Sequence, residues 1–460
     1  QSKNLSADAI REGVDVISEQ LKKDILNTGN TADYYDLSGR TIYYISEKNG
    51  NDDNDGKSPE TAWKTPAALN KLRLVKPGTL AVLFERGGIY RGSIAAANHA
   101  YYGSYGTGPK PLLMQSKRNY ADPELWVETE YPNVWRTTEM LKNVGIIGFD
   151  HDLFDYSEDS YHELYGNIMN KGNYGFTGPK DLTEDLQFYS ELEGTNVQSS
   201  GYVYLYSKDG NPGSRFKSIE MGERTNIFAS ASNGTVFDNL ALKFTGAHGI
   251  GLGTVTNITV TNCVFSWLGG SVLSYRDGSA VNYGNAVESY GGCNGYHVEN
   301  NWMYQIYDTA VTHQRSSSGT GDCRQENIQY IGNLMEYVHW GIEFYNAPPS
   351  KEDLAGKEDT WTRYTKNVHH AYNVLRMGGY GWGSLTRFRT GSARLYCGST
   401  LSENSADDQL VEYNIYDRCG GYLLNLPNNA NEVQDKNIYI QTIGCVLGSL
   451  RGTRYECDYD

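Results

Sequence analysis

No run of about 18 consecutive apolar residues occurs in this chain, so no segment reads as a membrane-spanning helix. Positive charge is in deficit: 40 Lys and Arg stand against 55 Asp and Glu, the net charge is −15 and the pI about 5.1. That balance excludes nucleic acid as an expected partner, and a strongly polyanionic ligand would have to meet a local cationic patch. Neutral or weakly charged ligands are favoured. Cysteine is sparse and unpatterned, at positions 263, 293, 323, 397, 419, 445 and 457, with no CxxC pair or other zinc spacing. Seven thiols leave at least one unpaired. Cys293 and Cys323 stand at similar places in successive repeats and have a possible bridge, but buried free thiols are the favoured reading. There is no Gly-rich phosphate loop, no GxSxG elbow and no HExxH, which removes support for nucleotide, α/β-hydrolase and zincin chemistry. A basic-then-apolar leader is also missing, so the expectation is a secretion signal already removed or never present.

What the chain does have is Gly (51) and Tyr (37) in quantity, with only 21% charged residues and helical patterning confined to about the first thirty positions. Gly suits many corners, and Tyr suits a groove lined by flat amphipathic rings. The most informative stretch runs from Tyr283 to Gln314. There the alternating segments Ala286-Val-Glu-Ser-Tyr290 and Tyr296-His-Val-Glu299, then Trp302 to Tyr307, are separated by Gly-Gly and Asn-Asn corners before Asp308-Thr-Ala-Val-Thr-His-Gln restarts the cycle. Short alternating strands with corners of this kind predict one rung of a parallel coil.

The corner recurs. An Asn followed by apolar alternation stands at Asn239, Asn262, Asn301, Asn333, Asn373 and Asn414, at intervals of 23, 39, 32, 40 and 41 residues. The shortest interval is what three strands and three tight corners need, and the longer ones are the same rung with a longer loop. Asn tolerates the left-handed conformation and can stack on its equivalents in neighbouring rungs.

The chain divides into four parts. Residues 1–40 hold an amphipathic helix with Ile10, Val14, Ile17, Leu21 and Ile25 on one face, expected to cap the open end of the coil. Residues 41–118 supply the first coils. The Asp run at 52, 53 and 55 in their polar loop has the composition of a calcium loop but lacks the closing Glu of an EF-hand, and a solvated turn is the favoured reading. In 119–224 the strands around Trp126, Val134, Ile146, Val203 and Ile219 break the period and predict an inserted β-rich subdomain. Residues 225–460 form the main stack.

The segment Asn49-Gly-Asn-Asp, Ser58-Pro-Glu-Thr-Ala-Trp-Lys-Thr65, Pro77-Gly-Thr and Phe84-Glu-Arg-Gly-Gly-Ile-Tyr-Arg-Gly92, together with the Asn rungs, resembles bacterial right-handed parallel β-helix proteins of the pectate-lyase-like superfamily. The arrangement of insertion and main stack is similar to that of the β-helix β-xylosidases among the glycoside hydrolases. The resemblance implies an all-β, right-handed parallel β-helix, and a secreted or cell-surface bacterial protein acting on an oligo- or polysaccharide, with a cytoplasmic enzyme as the alternative. It implies no cofactor, save calcium if the protein is a lyase, and leaves the oligomeric state undefined.

Aligning Ala286–Tyr290, Ala310–Gln314 and Gly341–Tyr345 puts Val287, Val311 and Ile342 inward. Glu288, Thr312 and Glu343 then form one outward column, with Tyr290, Gln314 and Tyr345 in the next. Two carboxylates two rungs apart are separated by roughly 9 to 10 Å, a spacing that suits an inverting glycosidase and is too wide for a retaining one. In the β-xylosidases the resemblance implies acids on neighbouring rungs of this column; here Thr312 stands between them instead. Asp308 and His313 are further candidates for the proton donor, although alternation turns His313 inward and Asp308 can equally cap its corner. Glu288 and Glu343 serve either catalysis or ligand hydrogen bonding. Tyr290, Tyr345, Trp340 and Trp382 offer faces to sugar rings, Trp340 being equally suited to the core, and Arg276 and Asp277 lie at the rung edge.

Glycoside hydrolysis is therefore the leading expectation. The alternatives are a lyase on a uronate glycan, with Arg315, Arg387 or Arg389 as base, and a non-catalytic glycan-binding or tailspike-like protein.

Overall fold

The structure, a computed structural model, describes residues 6–72, 79–157, 176–315, 322–346, 363–385, 392–396, 406–425, 432–440, 447–448 and 454–455. Three long sheets of ten, nine and ten strands run through them. Successive strands visit the three sheets in turn, so that each pairs in parallel with its equivalent one rung earlier; Thr259, His297, Gln329, His369 and Leu410 are such equivalents in the first sheet. This is a parallel β-helix. Its interior is a continuous apolar core that includes Phe237, Ile258, Tyr296, Val311, Ile342 and Val368.

The corner between the first and second sheets shows why the repeat works. Asn301, Asn333, Asn373, Asn414 and Asn437 form a buried ladder in which the backbone N–H and side-chain amide of each donate to the Oδ1 of the next, at 2.8–3.0 Å. Each side chain also donates across the corner, as Asn333 does to the Val298 carbonyl. Asn239 and Asn262 stand one position earlier than expected. They belong to an adjacent column of left-handed residues (φ 60° and 54°) that continues through Asn300, Gly332, Tyr372, Tyr413 and Lys436. Cys263 occupies the ladder position of its rung and donates its N–H to Asn301.

The N-terminal helix (Ala7–Leu26) begins at Ser6, whose hydroxyl accepts the Ala9 N–H. It does not sit over the end of the coil. It lies along the outer face of the second sheet, where Lys22 pairs with Glu336 at 3.2 Å and Asp15 with Arg376 and Arg418. Its buried face is consequently Val14, Ser18, Lys22 and Ile25, while Ile10 and Ile17 are exposed. The expected apolar stripe is displaced because the sheet face beneath carries buried charges that need partners. At the first rung, Leu69 of the short 3-10 segment Pro66–Lys71 and Leu72, its C-cap, pack against the interior core instead. Nearby, Asp52 accepts from the Lys64 and Thr65 N–H groups and the Thr65 hydroxyl, and Asp55 from the Lys57 N–H and Thr61 hydroxyl, so these two carboxylates hold their own loop.

Between the second-sheet strand Leu112–Met114 and the third-sheet strand Phe228–Ala229 lies a subdomain with its own core, which includes Trp126, Phe188, Val203 and Ile219. Its four-stranded antiparallel sheet is ordered Phe188–Ser190, Val203–Tyr206, Val134–Thr137, Trp126–Glu128. Cys263, Cys293 and Cys323 are buried free thiols, and Cys397, Cys445 and Cys457 lie outside the described residues. No described helix is long and apolar enough to cross a membrane.

Candidate active site

The third sheet carries the site. Its strands Ile250–Leu252, Val287–Tyr290, Thr309–Arg315 and Trp340–Asn346 pair in register: Ile250 with Val287, Val287 with Val311, and Val311 with Ile342. Because side chains alternate along a strand, burying these apolar residues turns Glu288, Thr312 and Glu343 to the opposite face in one column, with Tyr290 and Gln314 in the next. Gly251 precedes Glu288 in its column; a Cβ there would lie 2.2 Å from the amide nitrogen of Asn226.

Glu288 is almost buried, with 12% of its side chain exposed. One oxygen takes hydrogen bonds from the Asn285 amide (2.8 Å) and the Gln314 amide (3.2 Å), and the other faces His248 Nε2 at 3.2 Å. The Asn285 backbone N–H donates to His248 Nδ1 at 3.0 Å, which makes Nε2 the protonated nitrogen and the donor to Glu288. Burial, opposed by the amides and reinforced by the nearby Asp308 charge, pushes the Glu288 carboxyl up to about 7. Burial also holds His248 down at about 4, so the imidazole is neutral at neutral pH.

The second carboxylate is joined to the first through the backbone. Asn285 Oδ1 accepts the Thr309 N–H at 2.9 Å, and the Thr309 hydroxyl donates to Glu343 at 3.0 Å. Between the two acids in register, Thr312 is fully buried and its hydroxyl makes no hydrogen bond within the described protein. His248, Asn285 and Thr309 thus form a column of their own at the strand starts, beside the acids. None of these three was singled out in the sequence. Extending the strand alignment one rung earlier, to Gly249-Ile-Gly-Leu252, is the signal that brings His248 level with Asn285 and Thr309.

Other expected residues are placed differently. His313 points into the coil, where Nδ1 meets the Tyr330 hydroxyl at 2.6 Å and the ring stacks on Phe344, so it lies on the opposite face of the strand from the acids. Trp382 is fully buried, donating its indole N–H to the Gln305 carbonyl and packing on Tyr307; no face is left for a sugar. Trp340 packs on His339 at the start of its strand. Arg276 and Asp277 are exposed at the tip of an antiparallel hairpin, Val272–Arg276 with Ser279–Asn282, beyond the acid column. Arg315 ends its strand near Cys323 and Arg363. Tyr290 is 41% exposed beside the column and keeps a free face. The side chain of Tyr345, and Arg387 and Arg389, lie outside the described residues. Among the described residues no group of three His, Cys, Asp or Glu is arranged to hold a metal ion.

No family model and no curated protein matches the chain. Among solved structures it is similar to XylC, solved in complex with xylose, at 13% identity and a TM-score of 0.42 over 85% of this chain and 70% of that one. It is also similar to a glycoside hydrolase at 9% identity and a TM-score of 0.37 over 89% and 96%, and to the GH136 lacto-N-biosidase from Eubacterium ramulus at 14% and 0.36 over 95% and 72%. Likenesses at these values carry no argument about chemistry, and the fold assignment rests on the strand pairing described above.

Proposed function

We propose that the acid column of Glu288 and Glu343 hydrolyses glycosidic bonds in a neutral or weakly charged oligo- or polysaccharide. The observation that carries this reading is a pair of carboxyls in one column with unlike surroundings: Glu288 is pushed up to about 7 by burial, while Glu343 accepts the Thr309 hydroxyl two rungs away. A carboxyl half protonated near neutral pH suits a general acid that protonates the leaving oxygen. Asp308 favours that proton through its nearby charge and stands as a positioning residue rather than the acid. Glu343 is then the base that activates water. The two acids lie two strand spacings apart, roughly 9 to 10 Å, which leaves room for a water molecule and supports inversion of the anomeric centre. Tyr290 and Gln314 border the sugar site.

The test is a panel of plant and host oligosaccharides incubated with the protein, with and without EDTA, reading released reducing ends and near-ultraviolet absorbance together. Hydrolysis gives new reducing ends without absorbance, indifferent to EDTA, and abolished in Glu288→Gln and Glu343→Gln. Absorbance from unsaturated products would move the assignment to a lyase. Binding without turnover would make the protein a glycan-binding module, and full activity in both Gln variants would end the present reading.

A further inference from the structure

A cleft of about 690 Å³ opens between the exposed hairpin and the inserted subdomain, outside the acid column. The hairpin turns through Asp277 and Gly278, both left-handed (φ 50° and 77°), as a two-residue hairpin turn requires. A lone two-stranded ribbon is marginal in water, yet this one presents Leu273 and Tyr275 to solvent, 42% and 36% exposed. Its base is fixed. The Asn143 amide donates to the Val272 carbonyl at 2.9 Å, and the Ser271 hydroxyl donates to the Asn143 carbonyl at 2.5 Å.

The opposite wall comes from the subdomain, with Phe176, Tyr189 and Thr195 facing Tyr275 and Ser279. Tyr189 and Tyr275 line the same cleft, one from each wall. The described residues that line it are uncharged, in a chain whose net charge is −15. The cleft is tied to the acids by a short chain of contacts. Arg224 donates to the Val272 carbonyl at 3.0 Å and lies over the Tyr283 ring, and Tyr283 packs edge-on against His248, the donor to Glu288.

We propose that this cleft is a second sugar-binding site, which holds a remote part of the same neutral glycan whose bond is cleaved at Glu288, with the rings of Tyr275 and Tyr189 as stacking faces. The inference rests on the glycoside hydrolase reading for what the ligand is. An uncharged wall of aromatic rings and hydroxyls complements a pyranose chain, whose C–H faces stack on aromatics and whose hydroxyls need neutral partners.

The test uses the full chain as wild type, Tyr275→Ala, Tyr189→Ala and Glu288→Gln on an array of neutral oligosaccharides of graded length, with kcat/KM for the shortest and longest members that are cleaved. Tyr275 stands exposed on the hairpin, so its variant keeps the fold even if Tyr189→Ala does not. The expected result is a loss of about tenfold in affinity and in kcat/KM for long glycans in Tyr275→Ala, with the shortest substrate within about twofold of wild type and Glu288→Gln binding undiminished. Unchanged long-chain affinity in Tyr275→Ala, or no array member bound by the wild type, overturns the proposal. Tyrosine-dependent binding of a glycan that is never cleaved would leave this site standing and defeat the hydrolase reading instead.

Discussion

Glu288 is pulled two ways. Three donors favour its carboxylate, whereas burial and the charge of Asp308 favour its acid form, and burial wins. The consequence for stability has a definite sign. An ordinary Glu ionises near 4.5, but folded Glu288 keeps its proton to about 7, so stability falls as pH rises through that window, by at most about 3 kcal/mol. His248 acts oppositely. Held at about 4 against an ordinary 6.5, it withdraws stability as pH falls through that range. Replacing Glu288 by Gln removes the first effect. The melting-temperature difference between Glu288→Gln and wild type should therefore move in favour of the variant between pH 5 and pH 8, while kcat falls by about 100-fold or more; a constant difference in a pH series of thermal melts would contradict the assigned ionisation. His248→Ala tests the positioning role. Loss of the imidazole donor disfavours the carboxylate, so the alkaline limb of the kcat/KM profile should move to higher pH, a shift that a purely structural His248 would not produce.

Among the elements, the asparagine ladder bears most of the corner's order. Asn333 accepts from Asn301 and donates both to Val298 and to Asn373, so Asn333→Ala strands buried groups on two rungs. A loss of about 2 kcal/mol is expected by denaturant titration, and a smaller one at the half-buried terminal Asn437. The N-terminal helix is held differently. The Glu336 side chain is completely buried, bound by Lys22 and by the Trp302 indole N–H, so Lys22→Met removes the cationic partner of a buried charge and should destabilise by about 3 kcal/mol, with faster proteolysis of the helix. That docking was hidden from hydrophobic periodicity. The stripe Ile10, Val14, Ile17, Leu21, Ile25 gives a helix but not its buried side, because the face it covers carries the polar column Ser266, Tyr304, Glu336, Arg376 and Asp417 beside the apolar column Trp302, Leu334 and Val374 that clusters with Val14 and Ile25. The left-handed column Phe244, Trp267, Gln305, Tyr337, Met377 and Arg418 was equally hidden, since none of these residues is a usual bearer of positive φ.

For the whole molecule, a strongly acidic chain that takes a neutral glycan should bind it with little dependence on salt. The dissociation constant for a neutral oligosaccharide is expected to change less than about twofold between 50 and 500 mM NaCl. Marked strengthening with salt would point instead to an anionic ligand repelled at long range by the net charge of −15.

The amino-acid order by itself determined the coil and the acid column. Strand periodicity is local, and a one-residue slip would turn Val287, Val311 and Ile342 out of the core, so the register of Glu288, Thr312 and Glu343 could be read from alternation alone. Only the tertiary structure decided what surrounds those acids. His248 reaches Glu288 from the preceding rung, 40 positions away in the chain, and Trp382 is drawn into the core by a carbonyl 77 positions away. Contacts across such distances depend on how loops of unequal length return each rung to the stack, which no local pattern encodes.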